Sequence, residues 1–431
     1  MKKKLKKLTK HSIYKSLIVT LLFVAVSLLS NFELVREKFE DAGFDLTSKI
    51  FFSTKLEKAP NAPSVVLFGF DNLFMQKNGL FDEDNRTNYG YLFPRKYITK
   101  FIKRLDKVSH RLTLFGGQPP KALFVDMDVS FGANLNGKLS IDEEALLDIL
   151  EQDTNRSYTL VFPKTQTANF IEQSKRPQIQ AMIEAKKIIF VSVDFTVSKD
   201  NASRRYITHT TFSNPLSSSE KNSIYPHAGV LLWNLAQKKD TNLTWLKENF
   251  SVGDVVQNRI LFKKYQKAKK KTPVGNLKRS YWEGYNFYSA TYQDRIDDEL
   301  LQNAVVMLGA TYQGNDDTFE VLASGDSTEL SGVELHANTL MTLFYLNGQL
   351  KELPMWAMIP LVFVLVFMLD FGVAYLLFKL KRKENKWTMV GVLVLTLGLM
   401  LLVSLVLLHY GIWFNWFIPM ILYDLIDVIL G

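Results

Sequence analysis

MWAMIPLVFVLVFMLDFGVAYLLF, residues 355 to 378, is an apolar run broken by a single carboxylate, Asp370, and its reading decides the layout of the chain. A bilayer's hydrocarbon core takes roughly 20 apolar residues of helix to cross. Two more runs come after it, Trp387 to Leu408 and Ile412 to Leu430, joined by Lys379 to Lys386 and by His409 to Gly411. Lipid offers no partner to a bare backbone, so each run is expected to be a helix. Trp356, Trp387, Trp413 and Trp416 sit at the run ends, where an aromatic belt belongs. On the N-terminal side, Leu17 to Leu29 is a fourth apolar core, preceded by Lys2, Lys3, Lys4, Lys6, Lys7, Lys10 and Lys15. A lysine-rich start followed by a short apolar core also describes a signal peptide. The preferred reading is an uncleaved anchor with Lys15 snorkelling to the inner surface. Under either reading the large middle region is exported.

The net charge of +9 suggests nucleic acid until it is located. The N-terminal tail holds seven of the basic residues, and the loop Lys379, Lys381, Arg382, Lys383 and Lys386 holds five. Residues 31 to 354 carry 40 basic and 39 acidic side chains, nearly balanced. The excess flanks the apolar runs, where the positive-inside rule puts it in the cytoplasm, so nucleic acid is excluded as a partner. The expected segments are a basic cytoplasmic tail at 1–15, spans at 16–32, 355–378, 387–408 and 412–430, and an extracytoplasmic domain at 33–354. With no cysteine in the chain, disulfides, thiolate metal sites and a cysteine nucleophile are ruled out.

The exported region alternates strand and helix signals. Strands are expected at Ser64 to Phe70, Ala122 to Val129, Tyr158 to Phe162, Ile188 to Phe195 and Ala304 to Gly309. Helices are expected at Lys96 to Val108, Asp142 to Gln152, Ala228 to Gln237 and Ser331 to Leu346, the last opened by Ser331 with Glu334 three residues on. The fold class is therefore an α/β exported domain, a mixed sheet flanked by helices, with four transmembrane helices, one N-terminal and three C-terminal. The basic run Lys263 to Lys271 reads as a solvated surface segment.

Several pieces, in order, resemble the second type of CHASE domain, the cyclases/histidine kinases associated sensory extracellular domain. They are Asp41-Ala-Gly-Phe-Asp45, Val65-Val-Leu-Phe-Gly-Phe-Asp71, Phe93-Pro-Arg-Lys-Tyr97, Ala122-Leu-Phe-Val-Asp126 and Val305-Val-Met-Leu-Gly-Ala-Thr311. Gly314-Asn-Asp-Asp-Thr318, Gly332-Val-Glu-Leu-His-Ala-Asn338 and a Leu353-Pro354 step into the spans complete the set. The resemblance covers roughly residues 31 to 354 and implies an extracytoplasmic sensory module. In relatives the spans usually lead to a cytoplasmic kinase or nucleotide cyclase. This sequence has no glycine-rich phosphate loop, kinase catalytic loop or cyclase motif, so output is expected in a separate polypeptide.

Candidate site residues are suggested by position. Asp71 and Asp126 each end an apolar strand, Asp128 lies two residues on, and Asp316 and Asp317 come after another strand. Ligands gather at the carboxyl ends of strands in open α/β sheets, so if the strands of Asp71 and Asp126 are parallel neighbours the two share one rim. Such a group could bind a cation or a polar ligand; the alternative is that these carboxylates cap turns and helices. Glu334 and His336 are ligand-binding candidates as well; the preferred alternatives are that Glu334 acts as a cap partner and that His336 is packed or hydrogen-bonded, with a response to acidity also open to it. Asp370, Asp424 and Asp427 lie inside apolar runs and are expected either near the headgroups or against a partner protein's span.

No metal, cofactor or catalytic residue is expected, and the chain is read as a non-enzyme. The reading is a sensory or ligand-binding protein anchored in the cytoplasmic (inner) membrane of a bacterium, multi-pass, with its large domain extracytoplasmic or periplasmic. Its partners would be the lipid bilayer, a small-molecule or protein ligand outside and a separate signalling protein such as a kinase or cyclase, with a homodimer left open. The alternative is a structural or envelope-assembly protein whose exported domain holds a protein partner.

Overall fold

Apolar strands buried on both faces need helices on both sides of the sheet, and that requirement organises the middle of the chain. The computed structural model describes residues 2–29, 40–53, 63–82, 84, 86–89, 93–130, 139–153, 155–164, 169–197, 202–212, 223–237, 257–262, 266–267, 279–280, 285–295, 297–315, 317–323, 326–380 and 386–430. The chain divides into two units, an α/β unit Lys58–Gly348 and a helical unit made of Met1–Glu57 with Gln349–Gly431. The helical unit opens with α1 (Lys2–Leu29) and α2 (Ala42–Ser53).

In the α/β unit the helices are α3 (Asn72–Lys77), α4 (Arg95–Leu114), α5 (Ile141–Gln152), α6 (Pro177–Glu184), α7 (Ala228–Ala236) and α8 (Gly332–Leu346). The main sheet uses β1 (Val65–Phe70), β2 (Ala122–Asp126), β3 (Thr159–Pro163) and β4 (Ile188–Val191), with β10 (Gln266–Lys267), β11 (Arg279–Ser280), β12 (Tyr285–Ser289) and β13 (Val305–Ala310). Its order is β10-β11-β12-β1-β13-β2-β3-β4. The six strands from β12 to β4 run parallel, and β10 and β11 add an antiparallel edge, so the sheet is mixed. Val66, Phe68, Leu123, Val125, Leu160, Val306 and Leu308 pack with the apolar stripes of α4, α5 and α6. The opposite face takes α7 and α8.

Two short antiparallel hairpins lie outside the main sheet. One pairs β7 (His209–Phe212) with β8 (Ser223–Pro226), the other β14 (Thr318–Ala323) with β15 (Asp326–Ser331). The single strand expected over Ile188 to Phe195 is two. β4 stops at Val191, and β5 (Phe195–Val197) joins a separate sheet with β6 (Ser203–Ile207) and β9 (Gln257–Arg259). A local polar turn breaks it: the Ser192 hydroxyl donates to Asp194 Oδ2 at 2.7 Å while the Asp194 N–H donates back to Ser192 Oγ at 3.3 Å. Apart from Gln266–Lys267, the basic run 263–271 lies outside the described residues.

The remainder of the helical unit is α9 (Met355–Leu380), α10 (Lys386–His409), α11 (Phe417–Leu430) and the strand pair β16 (Lys351–Glu352) with β17 (Ile412–Trp413). Among the described residues two helical stretches are long and apolar enough to cross a membrane, Lys6–Ser27 and Met355–Leu376, rather than four. The apolar helical parts further on, Val394–His409 and Phe417–Ile426, are shorter. The third C-terminal run is not helical from Ile412. Its first residues are extended because Lys351 N–H donates to Gly411 O at 3.0 Å and Leu353 N–H to Trp413 O at 2.9 Å. The helix begins only at Phe417, with Pro419 in its first turn, where a missing N–H costs nothing.

Three expectations within this unit are corrected. Lys15 does not snorkel. It is buried, its ammonium 3.1 Å from Asp370 Oδ1 and 4.1 Å from the Tyr423 ring centroid, so α1, α9 and α11 meet around one charge pair. Asp370 thus has its cation within the same chain, contributed by a different helix. Trp413 and Trp416 are buried rather than placed in an aromatic belt: Trp413 meets Phe44 edge-on, and the Trp416 indole N–H donates to Thr47 Oγ1 at 2.7 Å. Trp356 is exposed, as a belt residue would be. Asp424 is half-buried on α11, and of Asp427 only the backbone is described.

Candidate functional site

Strand β2 alternates its side chains between the two helical layers. Leu123 and Val125 enter the core under α4 and α5, so Phe124 and Asp126 turn toward α8. α8 reaches that face because its start is closely fitted. The Glu334 carboxylate accepts the Ser331 N–H at 3.1 Å and the Ser331 hydroxyl at 3.0 Å, closing the expected capping box. A Cβ on Gly309 of β13 would lie 2.6 Å from Val333 Cβ, so the absence of a side chain there lets the helix rest on the strand. A Cβ on Gly332 would lie 2.1 Å from Asp317 Oδ2, so that carboxylate sits against the first residue of α8.

These contacts bring His336, on the second turn of α8, over the end of β2. Its Nε2 is 3.8 Å from Asp126 Oδ1, too far for a hydrogen bond. Its ring lies 5.1 Å from Phe124, 4.7 Å from Phe195 and 4.9 Å from the ring of His227, measured between centroids. His227 is the N-cap of α7, and its Nδ1 accepts the Gly229 N–H at 3.2 Å. That bond requires a lone pair on Nδ1, so the neutral ring carries its proton on Nε2. Both histidines are wholly buried, and the Asp126 side chain is only 9% exposed.

Among the described residues, three buried polar atoms of this cluster have no hydrogen-bond partner: Asp126 Oδ2, His336 Nδ1 and His227 Nε2. Burying an ionisable group without a partner drives it to its neutral form. Burial pushes His227 down to about 3. Burial, followed by the neighbouring His227, holds His336 well below the usual imidazole range. Burial, reinforced by the charge of Asp317, raises Asp126 well above the usual carboxylate range. Asp317 is itself raised by burial of its carboxylate, although the residue as a whole is exposed; the Gly332 N–H partly opposes that shift. The cluster thus sets a carboxyl driven toward its neutral form against two neutral imidazoles inside an aromatic wall.

The expected site residues separate accordingly. Asp126, Asp317, Glu334 and His336 gather at the start of α8. Asp71 does not join them. It caps α3, accepting Phe74 N–H at 2.9 Å and the Ser289 hydroxyl at 2.7 Å on Oδ1. Strands β1 and β2 are not neighbours either, because β13 lies between them. Asp128 is held in a turn by Ser130, whose N–H and hydroxyl reach its two oxygens at 2.7 and 2.9 Å. For these two, capping is the role observed. Asp316 lies outside the described residues. His227 escaped sequence reasoning: a residue just before a helix is where a cap belongs, but histidine is not among the preferred caps. Among the described residues no group of three or more His, Cys, Asp or Glu is arranged to hold a metal ion.

Comparison with known proteins returns one family. The CHASE2 domain model matches residues 18–377. Neither the curated proteins nor the solved structures contain a match to this chain. The family is one of extracellular sensory domains, not of catalysts. With the match running from within α1 through the α/β unit and most of α9, this chain belongs to the CHASE2 domain family.

Proposed function

We propose that this protein is a membrane-anchored sensor whose α/β unit, Lys58–Gly348, faces away from the cytosol and reports to a separate signalling protein such as a kinase or cyclase. The observation that carries the reading is the extent of the family match. It begins inside the apolar stretch Lys6–Ser27 and ends just past the apolar stretch Met355–Leu376, so the sensory family includes a potential span on each side of the sheet. The shorter apolar helices α10 and α11 would complete a four-span, multi-pass anchor in the cytoplasmic membrane, with the lysine-rich tail and the Lys379–Lys386 loop inside. The candidate site lies on α8, and only eight residues, Asn347 to Pro354, separate α8 from α9. A shift of α8 therefore has a short covalent route to a span.

The test is a reporter enzyme inserted near Ser217, in one version active only outside the cytosol and in another only inside. Activity outside is expected; activity confined to the cytosol would invert the topology and end the sensory reading. Recovery of partner proteins from detergent addresses output. Consistent recovery of a kinase or cyclase is expected, whereas a purely structural envelope partner would favour a holding role.

A further inference from the structure

Sensing needs a group whose state depends on the surroundings, and the site contains a cluster whose polar atoms are only partly used. His227, His336 and Asp126 come from three elements, the cap of α7, the body of α8 and the end of β2. Among the described residues they meet with three orphaned buried atoms. One buried charge beneath the other face of the sheet is answered at every nitrogen. The Arg156 guanidinium reaches both oxygens of Asp106 at 2.7 and 2.8 Å, with Tyr158 donating to the same carboxylate at 2.6 Å.

We propose that His227, His336 and Asp126 form a proton-responsive latch that holds α7 and α8 together on the sheet and releases them as the surroundings acidify. The latch deepens the sensory reading and rests on it for its meaning: the proton is the signal. Two features make the latch mechanical. First, the only lone pair a neutral His227 offers is on Nδ1, which accepts the Gly229 N–H. A proton arriving from water adds to that lone pair, so protonation removes the cap of α7. Second, α7 and α8 are in close contact: a Cβ on Gly229 would lie 2.8 Å from Thr339 Cγ2, and the two histidine rings are 4.9 Å apart. A charge on either ring has no room to recruit water without parting the helices.

The titratable and charged groups on the surrounding elements do not compensate that charge. Glu334 on α8 is engaged in its capping box, and Asp317 lies at the first residue of α8. Asp194 accepts from Ser192 and Thr210, at 2.7 and 2.5 Å. On β6, Arg204 and Arg205 have other interactions and Tyr206 presents its ring 4.9 Å from that of His227, and burial alone accounts for the state of His227. Asp126 is the carboxyl left to answer a charge on His336, and burial drives it toward its own neutral form. The histidines have folded values below their unfolded ones, so they favour the closed form above about pH 6.5 and withdraw that support as pH falls toward their folded values. Asp126, raised, favours the closed form at low pH and withdraws that support as pH rises through its folded value. Across the acid range Asp126 therefore opposes the two histidines, which together outweigh it.

The experiment is hydrogen exchange of the full chain in lipid nanodiscs, comparing α8 peptides with α4 peptides as an internal reference, at about pH 7.5 and about pH 5.5 with intrinsic rates corrected. We expect protection of α8 to fall roughly tenfold relative to α4 on acidification, and His227→Gln combined with His336→Gln to abolish the change. Asp126→Asn, which keeps the shape of the carboxyl, is expected to retain the acid response, and serves if the double variant does not fold. An α8-to-α4 ratio independent of pH, or an acid response that survives loss of both histidines, overturns the latch. Partner recovery at the same two pH values separates the latch from the signalling reading. An acid response in α8 with partner binding unchanged supports the latch and counts against signalling; partner binding that tracks acid while α8 stays protected does the reverse.

Discussion

Two buried sites, one in each unit of this protein, handle ionisable groups in opposite ways. In the helical unit, Lys15 and Asp370 lie 3.1 Å apart with Tyr423 over the ammonium. In the α/β unit, Asp126 and His336 lie 3.8 Å apart with no hydrogen bond between them and a second histidine alongside. The first solution compensates charge with charge; the second neutralises each group separately. In the compensated pair each member faces its opposite charge inside the helical unit. A neutralised cluster instead stores a protonation change that any opening of the site releases. The difference teaches that a buried charge can be answered either by a partner of opposite sign or by giving up the charge.

The most damaging way to break the comparison is to remove one member of the pair. Lys15→Met leaves a buried carboxylate without its cation and is expected to cost about 3–5 kcal/mol, seen as a large fall in the thermal midpoint of the detergent-solubilised chain. Adding Asp370→Asn should recover most of that loss. If the double variant were as unstable as the single one, Lys15 would act through packing and the contrast would fail. Next in size is the pH dependence of the α/β unit. Taking His227 from an ordinary unfolded value to about 3 in the fold, stability should drop by roughly 2 kcal/mol between pH 6.5 and pH 5. Chemical denaturation across that range would show it, and the variant His227→Gln should flatten the curve.

Gly309→Ala sharpens the comparison from the packing side. The new methyl would meet Val333 Cβ at 2.6 Å, so α8 must lift from β13, at a cost of about 1–3 kcal/mol. It should also raise the hydrogen exchange of α8 at neutral pH; unchanged exchange would mean that the helix is held by something other than its fit on the strand. The smallest effect belongs to Ser331→Ala. Loss of one side of the capping box should remove about 1 kcal/mol and leave the pH dependence intact, because the Ser331 hydroxyl has no contact with His227, His336 or Asp126 in the bonds it makes.

How much is legible from the residues alone depends on range. Strands β1, β2, β3 and β13 and helices α4, α5, α7 and α8 are readable within a few residues, because unbroken apolar runs and 3.6-residue periodicity are local properties. The α8 capping box is readable for the same reason. Strand order is not: β13, near the end of the unit, inserts between β1 and β2, and so keeps Asp71 away from Asp126. Lys15 and Asp370 each look like an isolated charge beside or inside an apolar run, since nothing in either helix announces the other. His227 is invisible as a cap because its residue type is a poor one. Trp413 and Trp416 look like belt residues because their position at a run end says nothing of what packs over them.

By itself the sequence determined where most of the apolar helices lie, that the middle of the chain is α/β with a mixed sheet, where the excess charge sits and which family the chain resembles. Each comes from composition, periodicity or short motifs, all of which act over a few turns of chain. Tertiary structure alone decided which buried polar groups meet. It paired Lys15 with Asp370, set the Ser289 hydroxyl on Asp71, and brought Asp126, His227 and His336 together around atoms left without partners. Partnership between side chains more than 100 residues apart depends on strand order and on where helices can approach, and those are settled by packing the whole core at once.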